Sequence, residues 1–326
     1  MVRAVRWKFC TKSTKTERAS QRKNFTLRDA AVTERTQEKY YIGMRQLLPL
    51  LKTLTKGHEL DEAITDWIEQ CWKEGETLGL INDALCGLHH FAPWTKKHIP
   101  QSWKLFAVWR KLEGPSRAPP ITANIVYCLA NYALEHCDII FAGMLLIGFF
   151  GLLRTGELLN VRACDLLADK KNLLISLPNT KSGTRHSAAE MVQVSDPFTL
   201  EVIREVKAYR VDNNCLKVPL WDFTPQSFRD RFAYHLRKFD LVSHGFRPYS
   251  LRRGGATHLF QVSGSMELAL LKGRWSSPKV AKIYISDALS FLPAMEYSDL
   301  SRRMLQKWNP FSTPKGVKAR DRGKSD

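Results

Sequence analysis

The chain has 326 residues, of which 44% are hydrophobic and 25% charged, and this composition excludes disordered, collagen-like and low-complexity proteins and leaves room for two domains. Fifty lysines and arginines against 32 acidic residues give a net charge of +18, which favours a polyanionic partner, nucleic acid before an acidic membrane surface. Residues 1–28 carry +8 and residues 313–326 carry +3, so the body between them keeps +7. We therefore expect a disordered basic arm at 1–28, a basic tail at 313–326 and a positively charged surface on the body.

The first structured region is predicted to be helical. Thr33 is suited to cap a helix in which apolar residues recur at helical spacing between Tyr40 and Leu51. The same spacing predicts helices at Leu60–Trp72, Thr77–Phe91 and Trp103–Lys111. Three prolines and a glycine then fall within residues 113–120, which excludes a continuous helix. We place a linker at 113–120 and an all-helical domain at 29–112.

The second domain, 121–312, is predicted to be mainly helical with one small sheet. Ala123–Glu135 and Ile139–Leu153 have the composition of helices, and the second is uncharged over 15 residues, too short for a bilayer span but suited to a buried core helix. Leu173–Leu177 and Met191–Val194 are rich in strand-forming residues and are separated by turn-forming residues, so they predict a β-hairpin. Helices are expected again from Thr199 to Trp308.

Cysteine usage and the N-terminal sequence indicate a compartment. The seven cysteines never occur in C-x-x-C spacing, and no apolar signal segment opens the sequence. We expect an intracellular protein with reduced cysteines that is found where DNA is, in the nucleus of a eukaryote or the cytoplasm and nucleoid of a prokaryote. An organellar transit peptide and a nuclear signal in the basic arm both stay open.

Two segments place arginines next to apolar and small residues. Arg154 opens the sequence R-T-G-E-L directly after the uncharged helix, where its guanidinium needs an anion, either Glu157 or an external phosphate. Arg252 and Arg253 stand in Y-S-L-R-R-G-G, where glycines let another backbone come close. Taken separately, the first segment also fits a structural ion pair and the second a solvated helix face.

A third segment adds an aromatic pair. Arg274 and Trp275 stand in K-G-R-W, and Tyr284 follows Trp275 by nine residues. A tyrosine at such a position, taken by itself, also fits a core residue. The order of the three segments along the chain is the informative feature.

Together the three segments resemble the tyrosine recombinase (phage integrase) family. Its pattern is an Arg in an R-x-G-E-L-like context, a Lys on a β-hairpin, an H-x-x-R box, a His or Trp, and a Tyr nine residues later. The resemblance assigns a candidate catalytic set, which is Arg154, Lys181, Tyr249, Arg252, Trp275 and Tyr284. It covers residues 121–300 and implies an α+β catalytic domain, while residues 29–112 resemble the family's helical core-binding (SAM-like) domain by position and class only.

The resemblance implies a specific chemistry. Tyr284 would attack a DNA phosphodiester and remain joined to the 3′ phosphate, while Lys181 would protonate the departing 5′ oxygen as general acid. Arg154 and Arg252 would hold the non-bridging oxygens, whose negative charge grows in the transition state. The phosphotyrosyl bond stores the energy for rejoining, so no metal, ATP or other cofactor is expected.

Three positions depart from the family pattern or are open. Tyr249 replaces the usual His of the H-x-x-R box, and since a phenol has a pKa of about 10 it is a poor base near neutral pH, so we expect reduced activity or a shifted role there. Trp275 replaces His, as in some family members. Arg185 lies four residues after Lys181 and leaves the identity of the hairpin base open.

Three further residues are assigned supporting roles. Glu157 is expected to orient a neighbouring basic side chain. Arg253 and Arg274 are expected to contact DNA backbone phosphates or to be ordinary surface charges.

The expected function is that of a site-specific recombinase or integrase of a mobile element, acting on double-stranded DNA. By the family's habit it would work as a homo-tetramer assembled through the C-terminal helix within Asp287–Trp308, and we expect no membrane association. Two alternatives are open. A type IB topoisomerase uses a related site, and a catalytically silent descendant would bind DNA without cutting it.

Overall fold

The computed structural model describes residues 14–23, 31–53, 57–114, 116–177, 180, 190–212, 218–275 and 277–311, without the side chains of residues 21, 22, 53, 57, 58, 211, 212, 280 and 284. The chain divides into two compact units, Met1–Ser116 and Arg117–Asp326. This division falls within residues 113–120. Among the described helices, none has both the length and the apolar character that crossing a membrane requires.

The first unit is helical throughout its described part. Its helices are α1 (Lys15–Arg22), α2 (Glu34–Arg45), α3 (Leu48–Thr53), α4 (Gly57–Glu74), α5 (Leu78–Phe91) and α6 (Pro100–Leu112). The hydroxyl of Thr33 caps α2 and that of Thr77 caps α5, because each accepts from a backbone N–H of the first turn. Helix α6 is capped from α4, where Asp61 accepts from the backbone N–H of Gln101 at 2.9 Å and of Ser102 at 2.8 Å.

Part of the arm that was predicted to be disordered forms a helix. In α1 the N–H of Glu17 donates to the Thr14 hydroxyl at 3.3 Å, and the N–H of Thr14 donates to the Glu17 carboxylate at 2.7 Å. This capping box satisfies two backbone donors that an isolated polar segment would otherwise leave to water. The rest of the arm, residues 1–13 and 24–28, and the tail 313–326 lie outside the described residues.

The second unit combines helices with one small sheet, as the sequence predicts. Its helices are α7 (Ala123–Glu135), α8 (Ile139–Phe150), α9 (Thr155–Leu158), α10 (Pro197–Asp212), α11 (Pro225–Lys238), α12 (Pro248–Ser263), α13 (Met266–Gly273), α14 (Pro278–Phe291) and α15 (Asp299–Trp308). Helix α8 ends three residues before the predicted Leu153, because the chain turns at Leu152, whose φ is +49°. The described part of the chain contains all the predicted helices in the predicted order.

The sheet contains the predicted hairpin and one strand more. Strands β1 (Leu166–Ala168), β2 (Leu173–Leu177) and β3 (Glu190–Val194) are antiparallel and lie in that order. In the hairpin Leu173 pairs with Val194 and Leu177 with Glu190. Strand β1 has three residues, too few for a readable alternation of apolar and polar positions.

Helix α8 is the centre of the second unit. Residues 141–149 are all buried, and they belong to a core to which the other helices and the sheet contribute. Helix α12 comes close to this core at two adjacent glycines: a Cβ at Gly254 would lie 1.9 Å from the Ile121 carbonyl oxygen, and one at Gly255 would lie 2.0 Å from the Phe149 carbonyl oxygen. Any larger residue would force the two backbones apart.

The C-terminal helix packs on its own unit. Leu305 of α15 is buried in the core, and Met304 and Trp308 pack against it. The Asn131 side chain donates to the Trp308 carbonyl at 3.0 Å. In the segment predicted to face a neighbouring protomer, Leu289 and Leu300 are exposed, together with other side chains of α14 and α15.

We predict that Gly255→Ala destabilises the second unit, because its Cβ would overlap the Phe149 carbonyl. Overpacking costs about 1–3 kcal/mol, which corresponds to a fall in melting temperature of several degrees for a domain of this size. Thermal unfolding followed by circular dichroism measures the change. The matched control is Gly156→Ala, which meets no atom within 4 Å and is expected to unfold with the wild type. Equal melting temperatures for Gly255→Ala and the wild type would contradict the close contact.

Candidate active site

Arg154 and Glu157 form the first part of the site, at the start of α9. The Arg154 backbone N–H donates to Glu157 Oε2 at 2.9 Å, and its guanidinium donates to Glu157 Oε1 at 2.5 Å. The Glu157 side chain is only 6% exposed, whereas that of Arg154 is 32% exposed. Trp221 fixes the short helix from behind by donating its indole N–H to the Leu158 carbonyl at 2.7 Å. Arg154 is thus tethered at its base and open to solvent at its guanidinium.

Arg252 reaches the same carboxylate from α12. Its guanidinium lies 4.0 Å from Glu157 Oε2 and donates to the carbonyl oxygens of Leu152 and Gly273. The side chain is 1% exposed. The left-handed backbone at Leu152 accompanies this arrangement, since the carbonyl of this residue accepts from Arg252. The two arginines of the predicted catalytic set therefore meet around one carboxylate.

Arg274 is a third guanidinium at this carboxylate. It donates to Glu157 Oε2 at 2.5 Å, and its Nε lies 3.2 Å from Glu190 Oε2. The Arg274 side chain is 6% exposed. The prediction that Arg274 is a surface charge or a phosphate contact does not fit this position, because two carboxylates from the interior already neutralise it.

Arg253 also departs from the prediction. Its side chain is 3% exposed, it donates to the Ala118 carbonyl at 2.5 Å, and it lies 3.5 Å from the Asp287 carboxylate. Asp287 also pairs with Arg117 at 2.6 Å. Arg253 therefore joins α12 to α14 and to the segment before α7, and it is not a surface contact for DNA. Because Gly254 brings the Ile121 backbone so close, the side chain before it is covered.

Trp275 lies over the Arg252 guanidinium. The Arg252 Cζ is 4.9 Å from the centre of the indole ring, within the range of a cation–π contact. Gly273 makes room for the ring, since a Cβ there would lie 2.2 Å from the Trp275 ring. Tyr249 is at the second position of α12, is half-buried, and is close enough to Arg252 to affect its pKa.

Two members of the predicted catalytic set stand apart. Lys181 lies outside the described residues, in the turn 178–189 between β2 and β3, of which only Thr180 is described. Tyr284 falls within α14, and its side chain lies outside the description. The catalytic roles of both residues stay predictions.

The charges of the cluster favour an anion. Burial lowers the pKa of Arg252 to about 10, and the neighbouring Arg154 and Arg274 charges lower it further. Burial raises the pKa of Glu157, but Arg274 and Arg154 outweigh this effect and hold it below its ordinary value. Among the described residues the cluster combines three guanidiniums with the carboxylates of Glu157 and Glu190, which leaves one net positive charge. A phosphate group would be attracted to it.

The sequence matches no protein-family model and no curated protein. The structure resembles three solved proteins. These are the Tn1549 transposon integrase in complex with transposon right end DNA (TM-score 0.59, 14% identity, 90% of this chain and 96% of that chain), the XerH site-specific recombinase bound to its difH substrate (0.53, 16%, 75% and 70%) and a lambda integrase dimer bound to a COC′ core site (0.52, 14%, 79% and 90%). This chain has the tyrosine recombinase fold.

Two residues of this tyrosine recombinase fold were missed in the sequence. Glu190 is the first residue of β3 and reads as an ordinary polar strand position, although it faces Arg274. Gly273 reads as the end of a helix, whereas its lack of a side chain accommodates Trp275. The G-R-W sequence itself was the available signal, because an arginine between a glycine and a tryptophan has little local partner in either.

We predict that the carboxylate of Glu157 stabilises the fold in a pH-dependent way. Its folded-state pKa is below the ordinary value of 4.5, so its contribution is complete above pH 4.5 and is lost as the pH falls through the folded-state pKa. At pH 7, Glu157→Gln is expected to lower the free energy of unfolding by about 3–5 kcal/mol, since it leaves buried guanidiniums without their partner. Urea unfolding between pH 3 and pH 7 measures the difference between the two proteins.

That difference is expected to shrink below pH 4.5 for Glu157→Gln. The control is Glu201→Gln, since Glu201 is exposed on α10 and its change should leave the unfolding free energy unaffected at every pH. A constant difference between wild type and Glu157→Gln across the range would refute the role of the ionised carboxylate.

Proposed function

We propose that this chain is a site-specific DNA recombinase or integrase that cuts and rejoins strands through a 3′-phosphotyrosyl intermediate. The observation that carries the proposal is the convergence of Arg154 and Arg252 at Glu157, beneath Trp275. The fold supports it, since the three solved proteins that share the fold are site-specific recombinases or integrases in complexes with DNA. An origin in a mobile element is part of the same proposal.

The two arginines would act on the scissile phosphate. Arg154 has its guanidinium partly in solvent and can donate directly to a non-bridging oxygen. Arg252 is held by two carbonyls and the indole ring, so its charge acts with little reorganisation once a phosphate displaces solvent at the cluster. Both interactions strengthen as the phosphate gains negative charge in the transition state.

Tyr284 and Lys181 would carry the bond changes. The phenol oxygen of Tyr284 forms a bond to phosphorus while the bond from phosphorus to the 5′ oxygen breaks. Lys181 gives its proton to that 5′ oxygen, which leaves as a hydroxyl. Attack by the 5′ hydroxyl of another strand reverses the same steps and releases Tyr284. Tyr249 would donate a hydrogen bond to the phosphate in place of histidine.

The active form would be a homo-tetramer on double-stranded DNA. Although α15 packs on its own unit, Leu289 and Leu300 stay exposed and are available to a neighbouring protomer. Seating these two side chains against a second copy would keep the C-terminal region within the predicted interface.

We predict that the protein forms a covalent complex with DNA in the presence of EDTA. Purified protein is incubated with nicked duplexes, including sequences that flank its own gene, and run on a denaturing gel. Nicked substrates lose the short 5′-hydroxyl fragment after cleavage, so the intermediate accumulates. Tyr284→Phe should abolish the shifted band, because it removes the oxygen that attacks phosphorus.

The matched control is Tyr209→Phe, which changes an exposed tyrosine on α10 and is expected to leave the band unchanged. A band that persists in Tyr284→Phe would refute the assignment of the nucleophile. Salt-sensitive DNA binding without any band, identical in wild type and Tyr284→Phe, would favour a silent DNA-binding protein. Relaxation of supercoiled plasmid without a specific site would favour a topoisomerase.

A further inference from the structure

We propose that Arg274 and Glu190 are positioning residues that hold the β2–β3 hairpin against the R-T-G-E-L segment. This inference rests on the proposed function, because the hairpin matters to catalysis only if it supplies the general acid. It concerns two residues to which the proposed mechanism assigns no role. Their contacts are described in full, unlike those of the hairpin turn.

Arg274 links three separate parts of the chain. It pairs with Glu157 of α9 at 2.5 Å and with Glu190 of β3 at 3.2 Å, and it donates to the Leu152 carbonyl at 3.4 Å. Its own backbone is left-handed, with φ at +53°, an uncommon conformation for a residue other than glycine. The geometry at Arg274 is thus fixed by its partners on both sides.

Glu190 occupies the base of the hairpin turn. It pairs with Leu177 as the last pair of β2 and β3 before the turn 178–189, which contains Lys181. Its side chain is 17% exposed, and its Oε2 is buried next to Arg274 Nε. An ion pair at this point restrains the place from which the turn departs.

The same guanidinium therefore fixes the hairpin base and the carboxylate that holds Arg154. Buried ion pairs add little net stability on average, because desolvating both charges offsets their attraction. Their directional geometry can instead select one arrangement of the segments they join. For the proposed reaction this arrangement sets the distance between the hairpin acid and the phosphate held by Arg154.

A substrate with sulfur at the 5′-bridging position separates positioning of the acid from general damage. A thiol has a pKa of about 8.5, far below that of an alcohol, so the sulfur leaves as a thiolate without needing a proton. Single-turnover rates of covalent complex formation are measured with oxygen and sulfur substrates. The proteins are the wild type, Lys181→Ala, Glu190→Gln and the exposed control Glu201→Gln, with thermal unfolding to check each fold.

With the oxygen substrate, Lys181→Ala is expected to be slower by about 10²-fold or more, and Glu190→Gln by about 10- to 100-fold. With the sulfur substrate both are expected to come within about threefold of the wild type, since no proton transfer is needed. Glu201→Gln should match the wild type on both. Arg274→Lys keeps the charge but lacks the planar fork that serves two carboxylates, and it gives the same test if Glu190→Gln does not fold.

Each outcome has one meaning. A Glu190→Gln defect that is equal on both substrates, or no defect on either, overturns the positioning role while the proposed function stands. A Lys181→Ala defect that sulfur does not relieve removes the hairpin acid and with it this inference. A wild type that forms no Tyr284-linked complex with either substrate contradicts the proposed function itself.

Discussion

The Glu157 carboxylate accepts from Arg154 and Arg274 at 2.5 Å each, with Arg252 at 4.0 Å, and the candidate site depends on this one anion. Three guanidiniums cannot be packed side by side in a protein interior without a counter-charge, because their repulsion is poorly screened there. The ionised Glu157 makes their proximity possible. The excess positive charge that remains is what an incoming phosphate would meet.

The backbone around this anion is shaped to serve the arginines. Leu152 and Arg274 both have left-handed backbones, a conformation that costs about 1–3 kcal/mol outside glycine and persists only where surrounding contacts enforce it. The Leu152 carbonyl accepts from Arg252, and Gly273 leaves space for the tryptophan ring that covers it. At Gly255 the close contact between α12 and α8 sets the depth at which Arg252 enters. The site is thus a product of core packing as well as of charge.

Local signals were readable in the sequence and tertiary ones were not. Thr33 and Thr77 cap their helices through hydrogen bonds within one turn, and Arg154 meets Glu157 three residues away, so short windows sufficed for these features. The partner of Arg274 in β3 is set by how the sheet packs on α9, which no local pattern encodes. The burial of Arg253 likewise follows from the backbone contact at the next residue, and a basic residue near glycines is equally compatible with a surface.

The central claim is that this cluster activates one phosphate for attack by Tyr284. The most direct test is to digest the trapped protein–DNA complex with nuclease and protease and to locate the remaining nucleotide by tandem mass spectrometry. The account predicts a 3′-linked nucleotide on the Tyr284 phenol and on no other residue. A nucleotide on Tyr249, the other tyrosine close to Arg252, would contradict it, as would a linkage through the 5′ phosphate.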